Sequence, residues 1–281
     1  MTYSLAYSPC PNDTYIFAAL TNRLLPDAPR VEAVLDDVEA LNAAARRGTY
    51  ALTKVSYGAI PYLLDRYRIL RAGGALGRGC GPLLIARPRA DGSVPSLEEL
   101  DPGALIAIPG VLTTAFLLLR LALGRTPQTA EIRFDRIVGA VAGGEVDAGL
   151  IIHESRFTYQ QYGLKAIADL GEWWEAHSGT PIPLGAILAH RDLDDNAAHR
   201  VNDAVRRSLA FARKREDAII DYVRAHATEM SDDVMRKHIA LYVNDFSDDV
   251  ADDGIAAVNT LFTRAATAGF LPAETKPDFV G

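Results

Sequence analysis

Apolar and polar positions along the first half of the chain repeat one unit: a short apolar run, a polar elbow, then a helical stretch. Tyr3 to Tyr7 suits a strand, "SPCPNDTYIF" at 8–17 crowds turn-forming residues together, and Tyr15 to Leu20 reads as a buried helix. A helix entered this way presents unpaired N–H groups. Asn12, Asp13 or Thr14 is placed to cap some of them, and the remainder suit a carboxylate or phosphate. The unit returns in "DDVEALNAAARRGTYALTKVSYGAIPYLL", with Val38 and Leu41 on one helical face, a turn at Gly48 and a second elbow at Thr53, Lys54 and Ser56. A third follows the buried run Leu105 to Ile108, where Pro109 and Gly110 lead to Thr113 and Thr114 at the head of an apolar helix. In the fourth, Gly143 and Gly144 end a helix, Val146 to Ile152 forms a buried strand, and His153 stands just past it.

This alternation predicts an α/β fold with a mainly parallel sheet and helices on both faces. Ligands in such sheets bind beyond the carboxyl ends of the strands, so all four elbows face one crevice. Turn-rich segments at 86–96 and 179–193 mark two crossings between lobes. The expected division is a discontinuous first lobe, 1–88 plus 192–281, and a second lobe, 89–191, that carries His153. From Asp195 onward the pattern is helical, with Val201, Val205, Leu209 and Ala212 at helical spacing, and this block is expected to pack on the first lobe. The stretch "RAGGALGRGCGPLLI" at 71–85 lacks the strand-G-x-G-x-x-G-helix context of a dinucleotide site and reads as a hinge or rim loop.

Composition narrows the function. With 281 residues, 49% of them hydrophobic, the chain is long enough for two lobes. The net charge of −7 comes without any segregated basic block, which removes nucleic acid from consideration. The most apolar segment, Ala115 to Leu123, is interrupted by Arg120 and falls far short of the roughly 20 residues that span a bilayer. No basic-then-apolar leader precedes the first elbow, so a cytoplasmic location is expected, and two cysteines suit a reducing compartment. No His pair has the H-x-x-x-H spacing of a metal site, and no metal is expected.

His153 is the sharpest candidate. A histidine at a strand's carboxyl end suits a general base titrating near neutrality, or it is a hydrogen-bonded histidine at a sheet edge or an ion-pair partner of Glu154. Thr113 and Thr114, and Lys54 with Ser56, offer hydroxyls and helix N-termini toward the same crevice; each alone also serves as a plain cap. Asn42 reaches in or lies on the surface. Cys10 is a weaker candidate nucleophile, with His153 as its partner, or simply a small buried side chain. Trp173 and Trp174 line an aromatic pocket or fill the core.

Taken in order, "SPCPNDTYIFAAL", "DDVEALN", "LTKVSYGAI", "GGALGRGCGPLL", "PGVLTTAFLL", "GEVDAGLIIHESRFTYQQYGL" and "LGEWWEAHSGTPIPLGAI" resemble the 1,4-dihydroxy-6-naphthoate synthase family of the futalosine route to menaquinone, across nearly the whole chain. The resemblance implies a two-lobed fold similar to type II periplasmic binding proteins, with the ligand cleft between lobes. It implies conversion of cyclic de-hypoxanthine futalosine to 1,4-dihydroxy-6-naphthoate by a carbon–carbon lyase without a cofactor. The histidine of "IIHESRF" is the family's proposed base and falls on His153. Substrate contacts fall on Lys54, Val55 and Ser56 of "TKVS" and on Thr114 and Ala115 of "TTAF", with Asn42 of "EALN" as an extra contact. The expected partner is a small molecule bearing a carboxylate, and a homodimer is left open. Two alternatives stand beside this reading: a non-catalytic binder of small carboxylates on the same fold, and the pathway's sister enzyme, which acts on chorismate.

Overall fold

The computed structural model describes residues 2–227, 231–273 and 275–280. Two mixed sheets carry the chain. The first contains β1 (Thr2–Tyr7), β2 (Arg30–Leu35), β3 (Leu52–Ser56), β4 (Tyr67–Ile69), β5 (Ala75–Gly77) and β11 (Ile182–His190). Its order is β2-β1-β3-β11-β4, with β5 also paired to β11. The second contains β6 (Leu83–Ala86), β7 (Leu105–Ile108), β8 (Gln128–Glu131), β9 (Ala148–Ile151) and β10 (Lys165–Asp169), in the order β10-β6-β9-β7-β8.

Parallel pairs join β1 to β2 and β3, and β7 to β8 and β9. The antiparallel pairs all involve β11 or β6. These two strands enter their sheets directly from the other lobe. The parallel character expected of strand–helix units therefore holds within each lobe and gives way where the chain crosses.

The crossings themselves differ from expectation. They fall at 78–82 and 179–181, so β6 belongs with the second sheet and β11 with the first, in place of the divisions at 88/89 and 191/192. Proline and glycine mark turns whether or not the chain changes lobe, and most of 87–103 is a solvent-facing excursion of the second lobe. Ser96 and Glu99 do exchange the two hydrogen bonds of a capping box there, at 3.1 and 3.3 Å, but they hold a turn, not a helix.

The two crossings lie side by side as a hinge. The Gly79 N–H donates to the Glu175 carboxylate at 2.7 Å and Arg78 Nη2 donates to the Gly179 carbonyl at 3.1 Å. A Cβ on Gly81 would stand 2.3 Å from the backbone N and Cα of Gly171. Backbone does not swing aside as a side-chain tip does, so Gly81→Ala is expected to cost about 1–3 kcal/mol. Thermal unfolding checks this, and an unchanged midpoint would mean that the hinge yields.

Helices cover both sheets. α1 (Pro11–Thr21) and α2 (Val38–Arg46) belong to the first lobe, and α3 (Thr114–Leu123), α4 (Ile137–Gly143), α5 (Ser155–Thr158) and α6 (Leu170–Ser178) to the second. The C-terminal block holds α7 (Asp195–Lys214), α8 (Ile220–His226), α9 (Asp232–Tyr242), α10 (Asp245–Asp248) and α11 (Ala251–Thr267). As expected, α7, α8 and α9 pack on α1, and α11 packs on β11. This explains why α1 is buried from Pro11 to Leu20 without a polar face: protein surrounds it. Trp174 fills the core and donates from Nε1 to the Pro181 carbonyl at 3.2 Å, while Trp173 stacks on His177. Among the described residues no helix is long and apolar enough to cross a membrane.

Candidate active site

The carboxyl ends of β1, β3, β7 and β9 converge on one cavity of about 90 Å³, lined by Ser8, Asp13, Lys54, Ser56, Thr114 and His153 among others. Small-molecule pockets ordinarily enclose about 300–1,000 Å³, so this space is too small for an organic ligand of ordinary size. Binding therefore requires the lobes to part or the lining to move.

The first elbow starts its helix earlier than the apolar run suggests. Cys10 is the N-cap and makes no side-chain capping bond, and Pro11 occupies the first helical position, where its missing N–H leaves nothing unpaired. Asn12, Asp13 and Thr14 thus lie inside the first turn instead of capping it. Asp13 turns back on the β1–α1 loop, accepting from the Ser8 N–H at 3.3 Å, the Ser8 hydroxyl at 2.7 Å and Asn12 Nδ2 at 2.9 Å. Lys54 Nζ reaches it from β3 at 2.6 Å and also donates to the Gly73 carbonyl at 3.1 Å. Asp13 is 2% exposed and Lys54 5%, so this is a buried ion pair whose desolvation is offset by a full set of hydrogen bonds.

Lys54, Val55 and Ser56 all line the cavity, as do Thr114 and Ala115. Asn42 does not. It is fully buried behind Ser56, accepting from the Ser56 N–H at 2.9 Å and donating to the Ser56 hydroxyl at 3.3 Å and to Glu39 at 3.0 Å. Thr113 caps α3 through the Phe116 N–H at 3.2 Å. The Thr114 hydroxyl bridges the lobes, donating to the Leu184 carbonyl at 2.8 Å and accepting from the Gly58 N–H at 3.0 Å. Opening the cleft frees that hydroxyl for a ligand.

His153 follows β9 with φ of 58°, a left-handed conformation that turns its side chain away from the strand direction. Its ring meets the Phe134 ring edge-on at 4.9 Å, and Nδ1 lies 3.4 Å from Cys10 Sγ. Nε2 is shielded from solvent and has no hydrogen-bond partner among the described residues. Burial pushes the His153 pKa down to about 4; Asp13 opposes this and Lys54 reinforces it. At neutral pH the imidazole is therefore uncharged, with a nitrogen lone pair available. The loop that carries it is anchored by Arg156, which donates to the Gly81 carbonyl at 2.7 Å and to Asp169 at 2.5 Å. Cys10 and His153 do meet, but burial, with Glu154 adding to it, raises the Cys10 pKa well above the usual thiol value. The pair holds a thiol, not an activated thiolate.

Glu39 is a functional candidate that sequence reasoning passed over, although it stands three residues before Asn42 on α2. It accepts from the Leu112 N–H of the second lobe at 3.2 Å and lies against Gly110, where a Cβ would fall 2.3 Å from its Cδ. It therefore latches the loop ahead of α3 to the first lobe. Burial raises its pKa to about 7, against the lowering effect of Asn42 and the Leu112 N–H. A carboxyl raised in this way adds stability that is complete below its unfolded value, about 4.3, and is lost as pH rises through 7. His153 has the opposite sign, its contribution being present above about 6.5 and lost as pH falls through 4. Glu39→Gln is therefore expected to remove the part of the melting-temperature profile that declines between pH 4.5 and 7. Profiles of wild type and variant that run parallel would take Glu39 out of the pH response.

Comparison with known proteins matches the chain to named relatives. A family model described as menaquinone biosynthesis matches residues 3–267. A 1,4-dihydroxy-6-naphthoate synthase of Thermus thermophilus is 50% identical over 277 residues, covering 98% of each chain. One from Streptomyces coelicolor is 46% identical over 277 residues, covering 97% of this chain and 95% of that one. Among solved structures, an Archaeoglobus fulgidus protein superposes with a TM-score of 0.88 at 36% identity, over 96% of this chain and 98% of that one. The alkanesulfonate-binding protein of Xanthomonas axonopodis pv. citri, bound to MOPS, superposes with a TM-score of 0.71 at 15% identity, over 99% of this chain and 96% of that one, which shows the shared binding-protein-like fold. Since the family model and both curated relatives span almost the full length, the chain belongs to the menaquinone-biosynthesis family that contains the 1,4-dihydroxy-6-naphthoate synthases.

Proposed function

We propose that this protein is a carbon–carbon lyase that converts cyclic de-hypoxanthine futalosine to 1,4-dihydroxy-6-naphthoate, with His153 as general base. The observation that supports it best is the uncharged ring of His153, its Nε2 unpartnered among the described residues, at a cavity shared with Lys54, Ser56 and Thr114. In this reading the substrate carboxylate lies toward the N-terminus of α3 and the ammonium of Lys54, whose three N–H donors meet two acceptors among the described residues. His153 takes a proton from the spiro-fused sugar portion. The strained ring opens, the bond to the bicyclic ring breaks, a three-carbon fragment leaves, and aromatisation drives the step. The enzyme supplies orientation, proton transfer and exclusion of water as Thr114 and Glu39 close the lobes.

The test is incubation of purified protein with cyclic de-hypoxanthine futalosine, with no added cofactor, followed by chromatography. Formation of the naphthoate supports the reading. Tight binding with no product turns the argument to a carboxylate-binding protein of the same fold, and turnover of chorismate instead assigns the sister activity.

A further inference from the structure

His238 has no role in this mechanism, yet it lies beside the proposed base. It is fully buried, and neither ring nitrogen has a hydrogen-bond partner among the described residues. Leaving such groups unpaired costs about 1–3 kcal/mol each, so the arrangement calls for an explanation. Its ring lies 6.2 Å from that of His153 at an interplanar angle of 25° and 4.6 Å from that of Tyr242. One ligand atom each from Cys10, His153 and His238 fall within 4.8 Å of one another. Nothing in the sequence spacing could have brought these three residues together.

We propose that Cys10, His153 and His238 form a site for one thiophilic divalent cation, Zn²⁺ foremost. It ties the head of α1 in the first lobe to the β9–α5 loop in the second and to α9. A tetrahedral zinc with its usual bond lengths of about 2.3 Å to sulfur and 2.0–2.1 Å to nitrogen sets those atoms about 3.5 Å apart. Cys10 Sγ and His153 Nδ1 stand at 3.4 Å. A hydrogen bond accounts for that contact alone but leaves His238 unexplained; a metal gives one nitrogen of His238 a partner as well. One sulfur and two imidazoles favour Zn²⁺, Co²⁺ or Cd²⁺ over Mg²⁺ and Ca²⁺. As the Sγ–metal bond forms, the thiol proton passes to solvent. Three protein ligands leave a fourth position for water.

The cation would act as a brake by holding the lobes together and engaging the ring that serves as base. That consequence rests on the proposed role of His153; the binding itself does not.

The test is equilibrium dialysis of the purified protein against Zn²⁺, with the absorption spectrum of the Co²⁺ form. One equivalent bound at neutral pH, with sulfur-to-cobalt charge transfer and tetrahedral d–d bands, is expected. Loss of a ligand in Cys10→Ser or His238→Phe should weaken binding more than about 100-fold, since outer-shell partners alone account for 10–100-fold. Cys80→Ser should retain the metal. Zn²⁺ should suppress naphthoate formation and a chelator restore it. No stoichiometric binding, a cobalt spectrum without charge transfer, or binding retained in both ligand variants would overturn the site. The wild-type spectrum decides the matter even if a variant fails to fold. Stoichiometric metal binding together with no naphthoate synthesis by the chelator-treated, metal-free wild type would sink the catalytic reading and leave the metal site standing.

Discussion

His153→Ala is expected to lower turnover by a factor of about 10²–10⁴ while ligand-induced stabilisation stays nearly intact. The split follows from the structure. The neutral ring lines the cavity, whereas the contacts assigned to binding come from Lys54, Val55, Ser56, Thr114 and Ala115 on other elements. Because residue 153 sits at a φ of 58°, alanine there carries some backbone strain, and His153→Asn, which tolerates that conformation better, is the matched control. Both variants should fail in catalysis while the ligand still raises their melting temperatures. Near-normal turnover in either would remove His153 as the base. The acid limb of kcat/KM in the wild type should also lie below the ordinary histidine value, because burial lowers the His153 pKa to about 4.

Lys54→Met should produce the largest loss of stability, about 3–5 kcal/mol, because it leaves the buried Asp13 carboxylate without its counter-ion. Ser8 and Asn12 still donate to Asp13, which keeps the loss toward the lower end of that range. Denaturant unfolding measures it. The double variant Lys54→Met with Asp13→Leu should recover much of the stability, since replacing a whole buried pair by apolar groups is often neutral. It should not recover ligand binding, because the ammonium facing the cavity is gone. A single variant as stable as the wild type would show that Asp13 is adequately served by its other donors, and activity in the double variant would remove Lys54 from the site.

The strand, elbow and helix units were legible because their signals are local: Pro11, Gly110, Thr113 and the apolar runs declare themselves within a few residues. The same locality misplaced the start of α1, since a proline at the first helical position carries the same composition as a turn. The lobe division was misread for a related reason. The true first crossing at 78–82 is only five residues long and lies within the stretch that reads as a hinge or rim loop, but the longer Pro/Gly-rich excursion draws the boundary to itself. Within the candidate site, residues on quoted motifs were legible as lining groups. The placement of Asn42 behind Ser56, the Glu39 latch and the approach of His238 to His153 depend on three-dimensional packing that linear spacing does not encode.

The two adjacent crossings also order the events of folding. Residues 83–178 form the second sheet and its helices as one continuous insertion, so that lobe has every strand it needs as soon as this stretch leaves the ribosome. The first sheet does not. Its interior strand β11 bridges β3 to β4 and β5 and is the last of its strands to be made. Until then β3 has an open edge, and the closing of a long loop slows its pairing. Pulse-labelled hydrogen exchange during refolding should therefore show protection in β7 and β9 before β3, which makes the first lobe the vulnerable half during synthesis.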